Sequence, residues 1–278
     1  VTADPPVPQD QAYDALGNVT LNGTGLLTGA TDPDHDVSTL VTVAETKATT
    51  NGNVTIATDD TFTYLSDPGY TGTDSFDFTV EDPSGETATA TATITVGDVY
   101  WFVDSDFAGT SDGTDVAPFT TVAPGAAAAT SGETVLVETG TYTGAVTLAN
   151  GALLRGQSGT AVTRTLNSAT VTLLPTGTAP TLNAGITIGQ NNSITSFTLS
   201  PTGANAITGT GFGTLTLDGI SFNVTTGAAL SLTTGTLTTS NMGSLAASGG
   251  THAILLNGVA GALTTTGGAL SGGTTATV

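Results

Sequence analysis

The chain has 278 residues, with 23 acidic side chains against 3 basic ones and a formal net charge of −20 at pH 7. That balance argues against nucleic acid as a partner, because phosphate contacts need lysine and arginine, and against docking on anionic lipid. There is no cysteine for disulfides or thiol chemistry, and no apolar run approaches the length of a membrane span.

Threonine is the commonest residue, and with alanine, glycine and valine it fills most of the chain. Helix formers such as Lys, Glu, Gln and Met are scarce, so an all-β, turn-rich chain is expected. Sixteen of the acids precede residue 100, six lie between Asp104 and Glu138, and only Asp218 follows. This change of texture places a domain boundary near Gly97 and Asp98, giving domains 1–97 and 98–278.

The first chemical signal is TDPDHDVSTL, Thr31–Leu40. Alternate aspartates on an extended loop present Asp32, Asp34 and Asp36 to one point, as a divalent cation requires. Three carboxylates do not complete a calcium shell, so carbonyls, waters or another acid such as Glu81 or Asp82 must help. The competing reading is a solvated turn, since Asp and Pro both favour turns.

Residues 52–96 read as successive strands. Val54 and Ile56 alternate with polar residues; Phe62 and Tyr64 follow a turn at Asp59-Asp60; Phe76, Phe78 and Val80 alternate with Ser75, Asp77 and Thr79. Ala88, Ala90, Ala92, Ile94 and Val96 then alternate with threonines. Period two with one apolar face marks half-buried antiparallel strands, and several of them between Gly, Pro and Asp turns suggest a β-sandwich.

Together, GNV, TDPDHD and the stretch containing PGYTGTDSFDFTV resemble the bacterial cadherin-like, immunoglobulin-like repeat of large surface proteins, over roughly residues 3–96. The resemblance implies a tandem spacer or adhesive module, with calcium binding in some members. In that family the acidic run has a glycine near its end; here His35 stands in that place.

Asp104, Asp106, Asp112 and Asp115 lie in a Gly- and Ser-rich stretch after Val99. They read as an exposed loop, or alternatively as a calcium site, at Asp104 and Asp106, that stiffens the joint. The segment from Val99 to Gly159, with GETVLVETGTYTGAVTL at its centre, resembles the opening of right-handed parallel β-helix proteins. There a first strand leads to a short capping helix, here ending at Ala126–Ala129 and kept short by Pro124 and Gly125. The stretch Thr160–Thr176 interrupts the spacing as a loop or irregular layer.

Beyond it, apolar positions recur. Ile207, Leu230, Ile254 and Val278 form one series; Phe197, Phe222, Leu245 and Leu270 a second; Leu215, Leu237 and Leu263 a third, all at intervals of 22 to 26 residues. Such a period signals a solenoid, and short β runs select a parallel β-helix whose layers bury their apolar faces only on one another. Val278 is in phase with the series, so either the chain is cut from a longer protein or its end docks on another subunit.

Catalysis on such a scaffold needs clustered acids, and after Glu138 there is Asp218 alone. Arg155 and Arg164 read as packing or capping residues. His252 aligns with Asn205, Ala228 and Ala276, a corner position, and lacks an orienting partner. The five N-x-[ST] sequons follow from the abundance of threonine.

The expectation is therefore a non-enzymatic structural or adhesive component of the bacterial surface or extracellular matrix, one form of which is a subunit of an extracellular fibre assembled through the open β-helix end. Its partners would be copies of itself or neighbouring repeats. A glycan-binding fibre module is the alternative, and a polysaccharide lyase or hydrolase the least favoured reading.

Overall fold

The computed structural model describes residues 4–248 and 252–267. The chain is nearly all β and divides into two compact units: Val1–Val99 with Thr165–Thr170, and Tyr100–Arg164 with Val171–Val278.

In the first unit, strands β1 (Gln11–Gly17), β2 (Leu21–Thr24), β3 (Val41–Thr42), β4 (Glu45–Ala48), β5 (Gly52–Ile56), β6 (Thr61–Ser66), β7 (Gly72–Glu81) and β8 (Thr87–Val103) follow one another. One antiparallel sheet runs β2-β6-β5-β4. Within the other, β7 pairs antiparallel with both β8 and β3, and β1 pairs parallel with β8. The period-two segments become these strands because alternate side chains point to opposite faces. Val54, Ile56, Phe62 and Tyr64 from the first sheet meet Phe76, Phe78, Val80 and Ile94 from the second in one core. Phe62 anchors it, its ring centroid 4.8 Å from Tyr13 and 5.2 Å from Phe76. Burying each such side chain contributes roughly 1.5–3 kcal/mol.

At the turn before β6, Asp60 adopts φ of 74° and its carboxylate accepts from the backbone N–H of Gly25 and Leu27. Gly97 and Asp98, where the sequence changes texture, are not in a loop; both lie inside β8.

The second unit continues with helix α1 (Val122–Ala128), which carries Pro124 in its first turn, where no N–H is needed. Gly125 is buried there, and a Cβ would stand 3.0 Å from Val135 Cγ1. Strands β9 (Thr134–Val137), β10 (Thr141–Tyr142), β11 (Val146–Thr147) and β12 (Leu153–Gly156) come next. The interruption Thr160–Thr176 is a hairpin, β13 (Val162–Leu166) and β14 (Ala169–Leu174), rather than an irregular loop. Asn167 and Ser168 turn it with φ of 48° and 65°, the paired left-handed conformation of tight hairpin turns.

After β15 (Thr181–Leu182), β16 (Ile186–Thr187), β17 (Asn192–Thr195) and β18 (Thr198–Leu199) come the long strands β19 (Ile207–Val224) and β20 (Leu230–Ala247), then β21 (Ile254–Gly261) and β22 (Thr264–Thr265). These stack as a parallel ladder: β8 on β9, β9 on β12, β12 on β17, β17 on β19, β19 on β20, and β20 on β21. Ile207 stands opposite Leu230 and Leu230 opposite Ile254, as the first series predicts.

The other two series need correction. Leu199, not Phe197, faces Phe222, because Ser196 turns left-handed at φ 61° and places Phe197 in the corner, where it is fully buried. Gly261, not Leu263, faces Leu237, because the offset of 24 that pairs Leu230 with Ile254 holds as far as Leu237, whereas Leu263 would need 26. Leu270, Ala276 and Val278, and with them the open end expected of the chain, lie outside the described residues.

Candidate metal centre

The pairing of β3 with β7 sets Val41 opposite Glu81. This brings the acidic loop before β3 beside the turn that follows β7, fifty residues on. In the loop, Asp32 Oδ1 accepts from the N–H of Asp34 at 3.0 Å and of His35 at 2.8 Å, an Asx turn that Pro33 fits. In the second turn, Asp82 Oδ1 accepts from the N–H groups of Ser84 and Glu86, both at 2.9 Å, and from Ser84 Oγ at 2.8 Å.

Asp32, Asp34, His35 and Asp82 converge, with one ligand atom from each within 4.8 Å of the others. His35 Nδ1 lies 3.5 Å from Asp32 Oδ1, 3.3 Å from Asp34 Oδ1 and 3.4 Å from Asp82 Oδ2. The side chains of Asp32 and Asp82 are fully buried, whereas those of His35 and Asp34 are about a quarter exposed. Asp32 Oδ2 is buried without a hydrogen-bond partner, and so is His35 Nδ1. Burial opposes ionisation of Asp32, but the N–H groups of Asp34 and His35 outweigh it and hold the carboxyl below its usual range. Asp82 is likewise opposed by burial and held low by Ser84 and Glu86. Two ionised, buried carboxylates and a third at the rim concentrate negative charge at one point.

Of the residues the acidic motif nominates, Asp32 and Asp34 are in the cluster and Asp36 is not. Asp36 instead caps the 3₁₀ turn Val37–Thr39, its Oδ1 accepting from Ser38 N–H at 2.9 Å. Of the two helpers considered, Asp82 joins and Glu81 does not. His35 enters as a donor in its own right, which its reading as a mere departure from glycine missed.

Asp104 and Asp106 each serve their own loop: Asp104 Oδ1 accepts from Asp106 N–H at 2.9 Å, and Asp106 Oδ1 from Ser105 Oγ. They lie near enough to Glu138 to act on it, since burial first and their charges second push its carboxyl up. Among the described residues they form no ligand group of the kind made by Asp32 and Asp82.

Calcium fits this set in part. The carboxylates are the hard oxygen donors it takes, and the orphaned Asp32 Oδ2 is an oxygen that a cation would satisfy. The imidazole nitrogen does not fit, because nitrogen donors suit zinc, copper or nickel better.

Residues 3–98 match the family model of the bacterial cadherin-like domain. No curated protein matches the chain. Among solved structures, one similar chain is a nucleoside hydrolase-related hypothetical protein from Saccharophagus degradans that is associated with carbohydrate metabolism. It is 17% identical, the alignment covers 34% of this chain, and the TM-score is 0.27. The present chain spans only 26% of that structure. A bacterial cadherin-like domain suggests a surface or extracellular protein with a structural or adhesive role. Among the described residues no helix is long and apolar enough to cross a membrane.

Proposed function

We propose that this protein is a non-enzymatic structural or adhesive component of the bacterial cell surface or extracellular matrix. Residues 3–98 serve as a cadherin-like β-sandwich spacer, and the second unit serves as a stiff parallel β-helix. The observation that carries this reading is the in-step parallel stacking of Ile207 on Leu230 on Ile254, all in one ladder. Leu215 and Leu217 are buried between polar Thr214, Thr216 and Asp218 along β19. A stack of this kind supplies length and stiffness because every layer is held by its neighbours.

Hydrolysis of a polysaccharide needs a pair of carboxylates flanking the scissile bond. After Glu138 the sequence offers Asp218 alone, which supports a mechanical rather than a catalytic role. The acidic cluster acts as an ion clamp for calcium. Asp32, Asp34 and Asp82 would hold the ion, and its charge would offset their mutual repulsion and tie the acidic loop to the end of β7. Copies of the same chain, or neighbouring repeats, are the proposed partners.

Stretching single molecules in an atomic force microscope tests the mechanical role. High unfolding forces for the second unit are expected. Release of sugar fragments from acidic polysaccharides incubated with the pure protein would overturn the reading, and filaments growing with concentration in negative-stain images would support self-association.

A further inference from the structure

The sequence contains two arginines, Arg155 and Arg164, and they line the same cavity. This cavity, of about 130 Å³, is also lined by Tyr100 and by the hydroxyl-bearing residues Thr134, Ser193 and Thr195. No acidic residue lines it. Two of the three strong cations of a chain with net charge −20 thus converge on one hollow.

The sheet register builds the site. Thr134 and Ser193 both stand opposite Leu153, and Thr195 stands opposite Arg155. Strand β13 contributes Arg164. Its guanidinium carbon lies 5.5 Å from the centre of the Tyr100 ring, and Nη1 donates to the Thr163 carbonyl at 3.2 Å. Stacking on an aromatic face orients the guanidinium plane and leaves its remaining N–H groups for another partner. Among the described residues the Arg155 side chain has neither a hydrogen bond nor an ion pair, and Arg164 has no carboxylate within 4.0 Å. The acid nearest in register is Asp218, opposite Thr195 and hence two strands from Arg155, about 10 Å away along the sheet.

Cations left without a counter-charge, beside several hydroxyls and an aromatic wall, have the chemistry to receive an oxyanion. A guanidinium fork matches the planar carboxylate with two parallel N–H···O bonds, while the hydroxyls can exchange hydrogen bonds with neighbouring ring hydroxyls. The volume is well under the several hundred Å³ of a site that encloses a whole drug-sized ligand. It has room for one acidic group, with the remainder of a larger ligand outside.

We propose that this cavity binds the carboxylate of an acidic sugar, a uronic acid presented by a glycan. The site is independent of the ion clamp and of the mechanical reading of the stack.

The test is calorimetric titration of the full chain with D-glucuronate, D-glucose and sulfate. Saturable binding of glucuronate is expected, with no heat from glucose and weaker binding of sulfate. Arg155→Gln and Arg164→Gln should each weaken glucuronate binding about tenfold, while circular dichroism confirms that both variants remain folded. Asp218→Asn, which removes the acid nearest in register, should tighten binding about threefold. Absence of glucuronate binding to the unmodified chain overturns the proposal, as does binding that survives both arginine substitutions. Sulfate binding as tight as glucuronate would assign the cavity to free inorganic anions and overturn the sugar acid.

Discussion

Asp74 carries more of the first unit's polar order than any residue in the acidic loop. It is buried, and its carboxylate accepts from Thr49 Oγ1, Tyr64 OH and the N–H groups of Asn51 and Ser75. Burial opposes its ionisation, but these four donors hold its pKa below the usual range. A carboxyl lowered in the folded state contributes stability that is fully present above its unfolded pKa, about 3.9, and is lost as pH falls through the folded value. Urea midpoints measured from pH 7 to pH 2 should therefore hold down to about pH 4 and then fall. Asp74→Ala should cost about 3 kcal/mol, since the buried Tyr64 hydroxyl loses its acceptor. Asp32 and Asp82, also lowered, add to the same acid limb. At the ion clamp, calcium at a hundred times its dissociation constant should stabilise the protein by about 2.7 kcal/mol, read as a rise in melting temperature. Asp32→Asn with Asp82→Asn should abolish that rise. His35→Asn, which exchanges a nitrogen donor for an oxygen, should favour calcium over zinc in competition titrations. The sequence displays Asp32 and Asp34 plainly because they are neighbours in a turn motif. It hides their union with Asp82, because that depends on strand pairing across fifty residues, and it hides Asp36 as a cap, because the same side chain suits both tasks.

Elements in the first unit are legible because one face of each strand is apolar and the other polar; Phe76, Phe78 and Val80 in β7 are the clearest case. The hairpin β13–β14 is less so. Its turn is Asn167-Ser168 rather than Asn-Gly, so the strongest local signal for a two-residue hairpin is absent. Ser168 pays for its φ of 65° with steric strain. Ser168→Gly should relieve it and stabilise the protein by about 0.5–1 kcal/mol, measured by thermal melting. In the stacked region the residue type at each layer is readable and the register is not. Period counting cannot tell Phe197 from Leu199, because both are apolar and buried and only the backbone at Ser196 decides which joins the strand. The same limit separates Leu263 from Gly261, where the constant offset of β21 on β20 outweighs the apolar pattern.

At the scale of the molecule, the chain divides into two compact units. The core around Phe76 and Phe78 is built within residues 15–96, whereas Phe222 pairs with Leu199 and Leu245 in the second unit. Phe222→Ala should cost the second unit about 3–5 kcal/mol through the cavity it leaves. Hydrogen exchange should then quicken in β18, β19 and β20 and stay unchanged in β7. Since β20 pairs in parallel with β19 on one side and β21 on the other, a single period of about two dozen residues is a module that a gene can duplicate or delete. Copying such a period adds strands to the parallel ladder and leaves the pairing of the others in place.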